Sequence, residues 1–100
     1  MNTPNTNAWI FLALAYASQA APADVKSISG MADGINHDIP TEQEMQLAFE
    51  WLLSKKLILK KGEKYALSKA GERIVLAAQE KTSVVMKIWK NITLKFSTLS

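Results

Sequence analysis

The chain has 100 residues, 48% of them hydrophobic and 21% charged, with a formal net charge of +3. That length supports a single hydrophobic core, and that composition excludes a disordered chain. With no cysteine and one histidine (His37), disulfide frameworks and thiolate- or histidine-based metal sites are excluded as well.

Residues 8–17, AWIFLALAYA, form an apolar run followed by SQA-AP, which is similar to the hydrophobic region and cleavage site of a secretory signal. The leading MNTPNTN carries no lysine or arginine, and the run is about half the ~20 residues needed to span a bilayer. A buried first helix is therefore expected, starting near residues 5–7 and ending before Pro22, in a chain without membrane contact and of cytoplasmic location. Trp9, Leu12, Ala13 and Tyr16 share one face, while Ile10, Phe11 and Leu14 spread apolar character almost all round.

The spacing of Val25, Ile28, Met31, Ala32 and Ile35 predicts a second helix over residues 23–36. Pro22 and Asp24 suit its start, and Asn36 suits a left-handed stop before Pro40. Thr41-Glu42-Gln43-Glu44 is a capping box, and a third helix runs from it to about residue 54 or 56. Met45, Ala48, Phe49 and Leu52 make its inner face. Residues 57–60 and 65–67 are β-prone runs joined through Gly62, a hairpin. Ser68 caps the next helix, whose stripe is Ile74, Val75, Ala78 and, beyond Thr82-Ser83, Val85 and Ile88. In residues 92–96, ITLKF alternates with period two, leaving strand and helix both open.

The segments Ile39-Pro40-Thr41, Leu52 to Ile58 (LLSKKLI) and Tyr65 to Gly71 (YALSKAG) resemble the stretch shared by bacterial winged-helix regulators of the MarR and PadR type. In that family a helix ends in L…GLI, a wing follows, and Y-x-L-(S/T)-x-x-G opens the next helix. Lys56 stands where the pattern usually has glycine. The resemblance is good over residues 39–75, fair over 8–38 and absent over 80–100. It implies a mostly α fold with a small β-hairpin: a winged helix-turn-helix with a three-helix core, wing and C-terminal helix. One domain is expected over 1–100, with a core of about 6–80 and an extension, 81–100, expected to form a symmetric homodimer, as added C-terminal elements do in winged-helix regulators.

Residues 1–50 hold one basic residue, Lys26, against six acidic ones, a net −5, whereas residues 51–100 hold eleven against three, a net +8. A basic half suits a polyanion, and double-stranded DNA through the wing is the expected partner. By analogy with helix-turn-helix proteins the reading helix is 42–55. Its outer face holds Gln43, Gln46, Glu50 and Ser54, and either glutamine can pair with adenine. Lys55, Lys56, Lys60, Lys61 and Lys64 would hold phosphates, although lysines also serve solubility and block edge-to-edge strand pairing.

Glu42, Glu44 and Glu50 have the wrong sign for DNA, so a protein-binding module is the alternative. Leu47 and Trp51 on the third helix, with Trp89, Ile92, Leu94 and Phe96 in the tail, are its candidate interface residues. For Leu47 and Trp51, packing beneath the first helix or the tail is the simpler reading. His37-Asp38 near Asp33 has no second histidine, and Asn91-Ile92-Thr93 matches a glycosylation sequon without meaning in a cytoplasmic protein. No glycine-rich phosphate loop occurs, and no hydroxyl has a base partner beyond His37. Neither catalysis, a cofactor nor a small-molecule substrate is expected.

Overall fold

Nine consecutive residues of the first helix, Asn7 to Ala15, are buried, so the chain is built around this segment. A computed structural model describes residues 1–99. It has the order α1 (Pro4–Ala17), β1 (Ala23–Asp24), α2 (Val25–Asn36), α3 (Glu42–Ser54), β2 (Ile58–Lys61), β3 (Lys64–Leu67), α4 (Lys69–Gln79) and α5 (Val85–Ser97). The molecule is mostly helical, with a three-stranded antiparallel sheet in the order β1-β3-β2.

α1 begins at an N-cap, Thr3, whose hydroxyl accepts from the Thr6 amide, and at Pro4 in the first turn. It is apolar all round because α2, α3, α5 and β3 all pack on it. The Trp9 indole donates to the Ala32 carbonyl at 2.9 Å, fixing α2 against α1. Asn7, the one buried polar side chain among the described residues, accepts from Asn2 at 3.1 Å, and Asn2 also donates to the Glu44 carbonyl.

α2 starts two residues later than expected, because Ala23 and Asp24 pair with Tyr65 and Lys64 of β3. Only Ile28 and Ala32 of its stripe are buried. Val25 and Met31 are exposed and Ile35 is half-buried. The left-handed terminating residue is His37 (φ 54°), one position beyond Asn36.

α3 carries the complete capping box, with Thr41 and Glu44 bonding each other's backbone amides at 2.9 and 3.0 Å. It closes in a Schellman motif: the Lys56 amide donates to the Leu53 carbonyl, and the Leu57 amide to the Leu52 carbonyl. Lys56 takes the left-handed conformation there (φ 60°), which is why a glycine suits that place. The motif's apolar contact is supplied by Leu52 and Leu57, both buried.

The start of α4 is bolted to that terminus. Ser68 caps α4 through the Gly71 amide, donates its hydroxyl to the Lys56 carbonyl at 2.7 Å and its amide to the Leu57 carbonyl at 3.0 Å. Gly71 is pressed against the Leu57 backbone, and a Cβ there would overlap the Leu57 carbonyl oxygen.

Residues 92–96 are helical, within α5, and not a strand. Val85 belongs to this separate helix and is exposed, so it does not extend the α4 stripe. α5 is also no appendage to a core ending near residue 80. Ile88, Trp89, Ile92 and Phe96 are buried, Phe96 packs edge-on against Phe11 at 5.1 Å, and the Trp89 indole donates to the Asn5 carbonyl at 2.9 Å. Each such buried side chain contributes about 1.5–3 kcal/mol relative to exposure. Among the described residues no helix is long and apolar enough to cross a membrane.

Candidate nucleic-acid interface

All eight candidate DNA contacts lie on the surface, but they do not share one face. Gln43, Gln46 and Ser54 are exposed on α3, as the helical spacing from buried Met45 and Leu52 requires. Gln46 donates to the Glu50 carboxylate at 3.3 Å and the Ser54 hydroxyl to the Trp51 carbonyl at 2.6 Å. Gln46, one of the two glutamines expected to meet bases, and Ser54 are thus already engaged. Glu42 and Glu50 stand exposed beside them.

The hairpin turns at Gly62 (φ 67°) and Glu63, the left-handed first position marking a type II′ turn. Its register pairs Ile58 with Leu67, Lys60 with Tyr65 and Lys61 with Lys64. Because side chains alternate across a sheet, Lys60 shares the α3-facing side with Tyr65, while Lys61 and Lys64 occupy the other side. Lys61 and Lys64 are direct cross-strand neighbours of like charge, an arrangement that a counter-anion relieves.

β1 adds a counter-charge that the sequence reading missed, since Asp24 is the register partner of Lys64. The Asp24 carboxylate accepts from the Ser27 amide at 2.8 Å. That bond, the Ser27 side chain, and then Lys64 and Lys26 hold its carboxyl below the ordinary value of 3.8. Lys55 lies 5.9 Å from the centroid of the Trp51 ring.

The protein-interface candidates divide differently. Trp89, Ile92 and Phe96 are consumed by the chain's own core and offer no free surface. Leu47 and Trp51 are half-buried, and Trp51 packs against the core with its ring centroid 4.9 Å from that of Phe96. Leu94 alone of the six is well exposed, at 59%.

The structure also contains a cleft of about 510 Å³ between α2, α3 and the hairpin. Its floor is Val25, Pro40, Met45, Phe49, Leu53 and Tyr65. Phe49 and Tyr65 stack there with centroids 4.4 Å apart and planes 15° apart. Three sequence-distant elements build this cleft; the unburied Val25 is its only mark on the periodicity of α2. No group of three or more His, Cys, Asp or Glu side chains among the described residues could hold a metal ion. No family model, curated protein or solved structure matches the chain.

Proposed function

We propose that this chain is a winged-helix binding module that grips a nucleic-acid duplex by its backbone, through the hairpin and the end of α3. The order α1-β1-α2-α3-β2-β3, with β1 paired to β3 beside the hairpin, supports the winged-helix reading. The observation that carries the functional reading is the exposed set Lys55, Lys56, Lys60, Lys61 and Lys64, within ten positions on the end of α3 and both faces of the hairpin. Phosphate contacts of this kind position a protein without reading sequence. Gln43 and Gln46 would lie nearest the bases, but the Gln46–Glu50 bond and the carboxylates of Glu42 and Glu50 oppose major-groove readout. The module is therefore backbone-led and weakly sequence-selective.

Fluorescence anisotropy with a random duplex at two salt concentrations tests this. Asp24 offsets Lys64, leaving about four effective phosphate contacts and a slope of log K against log salt of about −3.6. Lys60→Glu, Lys61→Glu and Lys64→Glu together abolish binding. Absence of binding by the wild type at low salt refutes the proposal.

In the same reading a second copy of the chain meets α5 through Leu94 and Met86, which remain exposed on one side of that helix. Sedimentation equilibrium giving a monomer mass at high concentration removes the homodimer.

A further inference from the structure

The cleft beside α3 has a charge pattern of its own. Glu42, Gln46 and Glu50 follow one another at four-residue steps along its rim, so the two carboxylates stand about 12 Å apart along the helix axis. Both are exposed, and the floor between them is apolar. Lys60 closes the opposite rim. A volume of about 510 Å³ matches pockets that take one bulky side chain and its neighbours.

In an extended peptide, residues i, i+2 and i+4 point the same way, and i to i+4 spans about 13 Å. That span matches the separation of Glu42 and Glu50. We infer that the cleft binds an extended segment of a partner protein with the pattern basic–x–apolar–x–basic. The two cations sit on Glu42 and Glu50, and the apolar side chain enters above the Phe49–Tyr65 stack. This surface shares only Lys60 with the lysine wing, and its Glu42–Glu50 rim carries the opposite sign. The acidic outer face that spoils α3 as a DNA reader is what suits it to such a segment.

The test titrates the full chain with three capped peptides, followed by amide chemical shifts: Lys-Ala-Phe-Ala-Lys, the spacing control Ala-Lys-Phe-Lys-Ala, and Glu-Ala-Phe-Ala-Glu. The first shifts Val25, Met45, Phe49 and Tyr65 and binds about fivefold more tightly than either control, the size expected of two exposed ion pairs. Glu42→Lys with Glu50→Lys removes that preference, and Lys60→Glu strengthens it. Both changes act with opposite sign on duplex DNA, so a failure here is separable from a failure of the wing. Should the double variant misfold, Lys60→Glu and the wild-type peptide comparison still decide. Equal affinity for the three peptides, shifts outside the cleft, or shifts of these residues with duplex DNA alone overturn the inference.

Discussion

Replacing Gly71 by alanine tests whether α3 and α4 are locked where the structure joins them. Alanine is ordinarily favoured over glycine in a helix by up to ~1 kcal/mol. Here the new methyl group overlaps the Leu57 carbonyl oxygen and lies 3.2 Å from its carbon and 3.3 Å from Leu67 Cδ2. The carbonyl cannot yield freely, because it accepts from the Ser68 amide, and Ser68 also bonds Lys56. Overpacking costs about 1–3 kcal/mol and a disturbed hydrogen bond about 1 kcal/mol, which together outweigh the helix gain. The expected net loss is about 2 kcal/mol, seen as a fall in Tm of about 8–16 °C for a chain of this size. Gly30→Ala and Gly34→Ala are the internal reference, since a Cβ at either meets nothing within 4 Å. Each should stabilise by up to ~1 kcal/mol, seen as a rise in Tm in the same thermal melt. A Gly71→Ala protein as stable as the wild type refutes the close approach.

Phe96→Ala, made deep in the α1–α5 contact, should cost about 3–5 kcal/mol and leave little folded protein by circular dichroism; a surface appendage would tolerate it. Lys56→Gly relieves the left-handed residue at the end of α3 and should raise stability by about 0.5–1 kcal/mol by chemical denaturation. The lowered carboxyl of Asp24 stabilises the fold above the ordinary value of 3.8, and that contribution disappears as pH falls through 3.8 and below. Asp24→Asn keeps a helix cap but should flatten this part of the acid limb of a stability–pH curve.

Local hydrogen-bonding chemistry was the legible part of the sequence. The Thr41–Glu44 box, the Ser68 cap and the hairpin at Gly62 each depend on residues within a few positions of one another. What escaped depends on distant partners. β1 is two residues long, too short for any periodicity, and exists because β3 pairs with it. The alternation of residues 92–96 was a coincidence. α1 selected the helical set Ile88, Trp89, Ile92 and Phe96, while Leu94, in phase with the apparent strand, is left outside. At the site, the lysines could be counted, but the pleat that divides Lys60 from Lys61 and Lys64 could not be seen without the register. Asp24 opposite Lys64 and the cleft over Phe49 and Tyr65 were hidden for the same reason.

The bond from Trp89 to Asn5 spans 84 positions, and the most apolar helix, α1, is made before the α5 that covers it. At ~5–20 residues per second, the ribosome needs about 4–17 s to go from one partner to the other. Throughout that interval α1 has emerged and α5 has not, so the segment with nine buried residues waits without its lid. Completion of this core therefore waits until α5 has left the ribosome. A product stalled or truncated before α5 would present the apolar surface of α1 to chaperones and proteases.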